Sequence, residues 1–317
     1  MFDQFRTALI GGEAARSAAF KIGEFDYLVD KPFSVSCFVN PNATEHFTLV
    51  NCGWDWYDLP IHNDVRKAVD SDKSINSTVI YINAKHVLFW VKELLKYHQI
   101  KNIVVLAEDV PEKDAREMVY LAEKHKVNIV GPSSTGIIVG GHGRLGEIGG
   151  DWNNLNLCKL DRAGSVGLIT KSGGMSGELL WQISRHSDGV STAIQIGGDA
   201  FPTTDFVWWL EKFADDPQTK VVVLAGEAGG NLEERAAVWY KSYYGDRIKY
   251  SGNKFKLIAV ISGKFLEQMP KGQKFGHAGA KLEESGFGSA RQKIEALRKA
   301  RVEVVELEEL GDRLKSI

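Results

Sequence analysis

The chain has 317 residues, room for about two domains at roughly 100–200 residues each. Hydrophobic residues make up 44% and charged ones 25%, the balance of an ordinary globular protein. Against 41 Asp and Glu stand 39 Lys and Arg, a net charge of −2, so no basic excess points to nucleic acid or to an anionic membrane.

Short β-rich runs alternate with amphipathic stretches along the chain. Thr7–Ile10 reads as a strand ending in Gly11-Gly12, and Glu13–Ile22 as an Ala-rich helix. Ser34–Val39 is a second strand, stopped by Asn40-Pro41-Asn42. Thr78–Ile82 is a third, followed by a helix over Lys85–His98. Ile103–Ala107, a helix over Glu112–Lys126 and Asn128–Val130 complete the first half. The glycine-rich stretch Gly131–Asp161 breaks the rhythm, and the predicted domain boundary falls within it, at 155/156. The alternation restarts with strands at Val166–Thr170, Ser191–Ile196, Lys220–Leu224, Leu257–Ile261 and Val302–Val305. Helices are predicted over Ser176–Arg185, Asp205–Phe213, Leu232–Tyr244 and Ser289–Ala300. Strands separated by such helices predict βαβ units and parallel sheets, hence an α/β fold of two doubly wound domains, 1–155 and 156–317.

The longest apolar runs, such as Val221–Ala225, fall far short of the about 20 residues that span a bilayer. The N-terminus, with Asp3 and Arg6, does not read as a signal peptide. The three cysteines, Cys37, Cys52 and Cys158, form no Cys-x-x-Cys pair. Neither a disulfide framework nor a metal site is expected, and a reducing cytoplasm is the default compartment.

Ligands of open parallel sheets bind beyond the carboxyl ends of the strands. Four segments of the second half sit there. Lys171-Ser172-Gly173-Gly174-Met175-Ser176 joins a strand to a helix, and its small residues let backbone N–H groups approach an anion. A plain strand-to-helix turn reads equally well. Gly197-Gly198-Asp199 is a second anion-friendly turn or a flexible loop. Gly226-Glu227-Ala228-Gly229-Gly230 places a carboxylate among glycines, before a helix that Asn231 can cap; a solvated Glu is the bland alternative. Phe275-Gly276-His277-Ala278-Gly279-Ala280 carries a histidine flanked by small residues, which points to an exposed loop. Most lone histidines are structural, but this one shares its domain with two candidate anion-binding helix starts. A neutral imidazole nitrogen can accept a phosphoryl group, and Glu227 can hold the other N–H.

The His277 and Glu227 segments together resemble the active site of the superfamily that holds the α-subunit of succinyl-CoA synthetase and ATP-citrate lyase. The resemblance runs over nearly the whole chain. It includes Gly197-Gly198-Asp199, Asp216-Pro217-Gln218-Thr219, and Ala107-Glu108-Asp109-Val110-Pro111 ahead of Gly131-Pro132. Succinate enzymes usually read Ser-Gly-Thr where this chain has Ser172-Gly173-Gly174. That run with Met175-Ser176 and Glu178-Leu179 is similar to ATP-citrate lyase. So are Phe275, Phe25-Asp26-Tyr27, and Ile183-Ser184-Arg185 with Asp188-Gly189-Val190. The chain stops at Ile317 without a citrate-synthase-like module, so the resemblance within the superfamily is to small subunits of the citryl-CoA synthetase type.

The resemblance implies a Rossmann-like CoA-binding domain followed by a flavodoxin-like doubly wound domain. It implies an ADP-forming acid–CoA ligase: ATP phosphorylates His277, the phosphoryl passes to citrate, and CoA displaces phosphate to give citryl-CoA. Glu227 orients His277. Ser172, Gly173, Gly174, Met175, Ser176 and Gly198 hold phosphate and citrate oxygens. CoA lies across Gly11, Gly12, Asn40, Pro41, Tyr81, Asn83 and Glu108. ATP and Mg²⁺ belong to an ATP-grasp partner subunit, since no Gly-x-x-x-x-Gly-Lys-Ser/Thr run is present. Two departures stand out. The glycine-rich first loop is reduced to Gly11-Gly12-Glu13-Ala14-Ala15-Arg16, and the lysine usual after the Pro of the second loop is absent, with Ala43 near its place. Arg16 either takes over that charge or is a solvated helix residue.

Other features read more plainly. Trp54-Asp55-Trp56-Tyr57 is expected to pack in the core under a β-hairpin, with a subunit contact as the alternative. Trp208 and Trp209 suit core and boundary positions on a helix, and His142 a structural role. The basic stretch Lys241–Lys256 reads as a solvated insertion, with an acidic partner surface as the weaker option. Two rivals remain: a ligase of the same superfamily acting on succinate or a similar acid, and a non-catalytic CoA- or dinucleotide-binding regulator.

Overall fold

The structure is a computed structural model, described here for residues 2–315 apart from Trp54, 246–253, 266–273, Gly276 and 282–287. The first sheet is built from β1 (Thr7–Gly11), β2 (Val35–Val39), β3 (Phe47–Cys52), β4 (Asp55–His62), β5 (Ser77–Tyr81), β6 (Asn102–Val105) and β7 (Asn128–Val130). Its order is β3-β4-β2-β1-β5-β6-β7. Every pairing is parallel except the β3–β4 hairpin. Counting only the parallel strands gives the order 3-2-1-4-5-6, the Rossmann arrangement. Helices α1 (Glu13–Leu28), α2 (Val65–Ser71), α3 (Val87–Leu94) and α4 (Glu112–His125) connect them.

The second sheet holds β8 (Gly136–Val139), β9 (Gly143–Gly146), β10 (Val166–Thr170), β11 (Val190–Gln195), β12 (Val221–Glu227), β13 (Lys256–Ser262) and β16 (Glu303–Val305). A two-stranded antiparallel ribbon, β14 (Lys274–Phe275) and β15 (His277–Lys281), lies between the last two in sequence. The sheet order is β16-β13-β12-β10-β11-β8-β9. Its five parallel strands follow the flavodoxin-like order 2-1-3-4-5. The helices are α5 (Trp152–Leu157), α6 (Gly173–His186), α7 (Phe206–Ala214), α8 (Leu232–Gly245), α9 (Ala290–Lys299) and α10 (Leu307–Lys315). Two parallel-dominant sheets in an α/β chain agree with the expected fold class.

Several expectations shift. The change of sheet falls between Val130 and Gly136, well before 155/156. Strand β8 pairs antiparallel with β11 and β9 with β8, so their glycines belong to a hairpin of the second sheet. Helix α1 runs six residues beyond Ile22. Gly23, a poor helix former alone, is buried where any Cβ would sit 3.0 Å from Cys52 Cβ and Sγ. Helix α6 begins at Gly173, not at Ser176, because the Ser172 Oγ accepts from the Met175 N–H and caps it. The segment expected as an exposed loop holds an antiparallel ribbon instead, Lys274–Phe275 paired with His277–Lys281, because its backbone groups bond to each other; Gly276 lies outside the described residues. In the aromatic patch, Trp56 is 64% exposed, so core packing does not describe it, while Tyr57 packs at 4.8 Å against Phe33 with the rings tilted by 46°. Trp54 lies outside the described residues.

One apolar core cluster continues from Leu9 and Val79 in the first sheet to Ile169 and Val222 in the second and to Trp209 on α7. Polar links join the halves as well. The Asp199 carboxylate accepts from the backbone N–H groups of Asp109 and Val110, and Thr204 Oγ1 donates to the Ile129 carbonyl at 2.9 Å. Two of the sequence motifs are thereby one structural joint. His142 Nδ1 lies 3.1 Å from Lys31 Nζ. All three cysteines are buried and free, and burial pushes their thiols up to about 12. No helix among the described residues is long and apolar enough to cross a membrane.

Candidate functional site

In a 2-1-3-4-5 sheet the crevice opens where the strand order reverses, between the first and third parallel strands. Here those are β10 and β12, paired in register from Val166–Val221 to Thr170–Ala225. The residues just beyond their carboxyl ends therefore meet. Lys171 follows β10 and Glu227 ends β12, and Lys171 Nζ lies 3.3 Å from Glu227 Oε1. Both side chains are nearly buried, at 4% and 11% exposure. Burial weakens the screening of such a pair. The Lys171 backbone is fixed on both sides: its N–H donates to the Ala225 carbonyl, and its carbonyl accepts from Gln195 Nε2 at 2.6 Å.

Helix α6 starts beside this pair. Ser176 Oγ donates to the Gly173 carbonyl, while nothing but Ser172 Oγ comes within 4.0 Å of a Cβ placed on Gly174. The first N–H groups of a helix are a site for an anion; here Ser172 Oγ takes that of Met175, and Gly173 and Gly174 bring no side chain of their own over the others. Gly173, Gly174 and Ser176 line a cleft with Gly149, Gly150 and Asn154. Lys21 of α1 and Glu147, just after β9, form another wall of this cleft. Lys21 pairs with Glu147, and Tyr81 Oη donates to the same carboxylate at 2.8 Å. Arg144, fully buried, donates to the carbonyls of Lys21, Glu147 and Gly150 and so shapes that wall. Burial presses its guanidinium down to about 10.

The loop after Glu227 is held from below. Glu233 accepts the Glu227 N–H on Oε1 at 3.1 Å, and its Oε2 accepts from Lys293 Nζ at 2.5 Å. Lys293 also donates to Glu234 Oε2 and to the Gly230 carbonyl, both at 3.0 Å.

The CoA residues expected from sequence divide into two groups. Gly11, Gly12, Arg16 and Asn40 line one cleft, of about 250 Å³, beyond β1 and β2, and Pro41 lies between two of its residues, Asn40 and Asn42. Gly11 has φ +146°, and a Cβ there would meet the Tyr81 carbonyl at 2.5 Å. Arg16 is paired at 3.4 Å with the exposed Glu13. Tyr81, Asn83 and Glu108 lie further along the strand ends. Tyr81 faces Glu147, Asn83 Oδ1 accepts from the Lys85 N–H, and Glu108 accepts from Ser133 Oγ at 3.4 Å. Gly198 is buried and its N–H donates to the Ser133 carbonyl, so it is part of the joint between the sheets. His277 opens β15, and Met175 is half-buried on α6.

The sequence expectations did not include Lys171, Lys21, Glu147, Glu233 or Lys293 among the site residues. Lys171 carried a signal in its position, directly after a predicted strand. Lys293 carried another, since it shares the buried stripe of α9 with Ala290 and Leu297, where a lysine is out of place unless paired.

Residues 169–303 match the family described as CoA-ligase. The chain is 37% identical over 242 residues to the probable ATP-citrate synthase subunit 1 of Neurospora crassa. That alignment covers 76% of this chain and 35% of the relative. Among solved structures, the chain superposes with a TM-score of 0.90 and 27% identity on a mutant Methanosaeta concilii ATP citrate lyase in complex with (3S)-citryl-CoA. It matches ATP citrate lyase from Methanothrix soehngenii in complex with citrate and coenzyme A equally well. Each match covers 99% of this chain and 49% of the other, so this chain spans about half of those proteins.

Proposed function

We propose that this homologue of ATP-citrate synthase subunit 1, with its CoA-ligase domain over residues 169–303, is the CoA-binding and phosphohistidine subunit of an ADP-forming citrate–CoA ligase. An imidazole nitrogen of His277 attacks the γ-phosphorus of ATP and ADP leaves. A citrate carboxylate oxygen then takes the phosphoryl group from His277, giving citryl phosphate. The CoA thiolate attacks the acyl carbon, phosphate departs, and citryl-CoA is formed. Splitting one transfer into two lowers each barrier, and most of the catalysis lies in position and charge.

The observation that carries this reading is the Lys171–Glu227 pair at the reversal point of the second sheet, beside the bare start of α6. Glu227 accepts the second imidazole N–H of His277 and fixes the tautomer that attacks. Lys171 supplies positive charge against that carboxylate. The N–H groups at the start of α6, with Ser172 and Ser176 beside them, hold phosphate and citrate oxygens. CoA runs from the Gly11–Asn40 cleft along the strand ends toward the cleft between Glu147 and Gly173. The lyase structures described with citryl-CoA, and with citrate and coenzyme A, support citrate as the acid. An ATP-grasp partner supplies ATP and Mg²⁺. Three free buried cysteines suit a reducing cytoplasm.

The test mixes the chain with its ATP-grasp partner and γ-labelled ATP, then adds CoA with citrate or succinate. Label on wild type but not on His277→Asn, with thioester formed from citrate, is the expected result. Label on His277→Asn, or thioester from succinate alone, overturns it.

A further inference from the structure

Lys293 is wholly buried, yet it sits on α9 and contacts neither the α6 start nor the CoA cleft among the described interactions. All three of its N–H donors are used, on Glu233, Glu234 and the Gly230 carbonyl. A buried ion pair is a weak source of stability, since an apolar pair of the same volume often serves as well. What no apolar pair does is accept a hydrogen bond. Glu233 accepts the Glu227 N–H, and Gly226 makes room for it, because a Cβ there would meet Glu233 Cγ and Oε1 at 2.6 Å. On the far side, the Gly229 N–H donates to the carbonyl of Gly288, at the base of α9. The loop bearing Glu227 is thus tied to the helix that follows the His277 ribbon. We propose that Lys293 and Glu233 are positioning residues, which fix the Glu227 backbone and so aim its carboxylate for the His277 step. This role rests on the reading of Glu227 given above.

Two measurements separate the inference from that reading. Amide hydrogen exchange of the full chain tests the tie itself. In Lys293→Met the amides of Glu227–Gly230 are expected to lose protection at least about tenfold, while the β10 and β11 amides keep theirs. The Glu233→Gln variant, nearly isosteric, is expected to do the same if the Met variant folds poorly. Labelling from γ-phosphate ATP with the partner present tests the consequence. Misplacement by about 1 Å costs on the order of 100-fold in rate, so Lys293→Met is expected to slow His277 labelling by roughly 10–100-fold at unchanged KM for ATP. Lys293→Arg is expected to recover most of that loss. Unchanged exchange at Glu227–Gly230 in both variants overturns the proposal. So does wild-type labelling by a variant whose exchange has risen. Absence of label on the wild-type chain instead overturns the phosphohistidine reading, and the exchange result stands apart from it.

Discussion

Lys171 Nζ stands 3.3 Å from Glu227 Oε1, across the point where the order of the second sheet reverses. The two residues are 56 positions apart in sequence and meet because β10 and β12 are parallel neighbours. Replacing Lys171 by Met leaves the carboxylate without this cation in a poorly screened place. We predict a fall of about 100-fold in His277 labelling, and a comparable fall for Glu227→Gln. The double variant is expected to be little worse than either, since groups that act as a unit are not additive. Single-turnover labelling of the four proteins checks this, and full additivity would falsify it.

Gly11 holds φ +146° with its α-carbon face against the Tyr81 carbonyl. An alanine there is strained and also displaces the end of β5 next to the cleft that Gly11 and Asn40 line. Gly11→Ala is expected to lower stability by about 1–3 kcal/mol and to weaken CoA binding. Gly12→Ala is the control for stability alone, because its nearest neighbour, Asn40 Nδ2, is 3.9 Å from the added Cβ. Thermal melts compare the two, and CoA titration calorimetry compares Gly11→Ala with the wild type. Equal melts would sink the steric account.

Asp26 is buried on α1 and accepts the Ser34 N–H at 2.8 Å and its hydroxyl at 2.7 Å. Burial outweighs those bonds and pushes its carboxyl up to about 7. Between its ordinary range near 4 and that value, the folded chain holds a proton that the unfolded chain has lost. This site therefore costs stability as pH rises through that window, and the cost is complete above about 7. Asp26→Asn removes the titration while its amide oxygen can still accept. Its stability relative to wild type is expected to improve by roughly 2–4 kcal/mol from pH 4 to pH 8. Denaturant melts at both values decide; a constant difference contradicts the assignment.

Much of the fold was legible because βαβ units write their period locally. Each predicted strand from Thr7–Ile10 to Val302–Val305 overlaps an observed one. The β8–β9 hairpin was not legible, since Gly140, Gly141 and Gly143 look like linker until β11 offers β8 a pairing edge and β9 folds back on β8. The helix starting at Gly173 was read as a turn for a similar reason. Glycine is a poor helix former, and the Ser172 cap that offsets it is a matter of geometry.

By itself the sequence determined which residues follow the strands: glycines, with one carboxylate and one histidine among them. Spacing of strands and helices also determined that Lys171 and Glu227 would lie at the carboxyl ends of parallel strands. Only the tertiary structure decided which charges face each other. Lys171 and Glu227 are joined by strand order, and Glu233 and Lys293 by the packing of α8 on α9. Such pairs depend on distances between segments far apart in the chain, which local propensity does not encode.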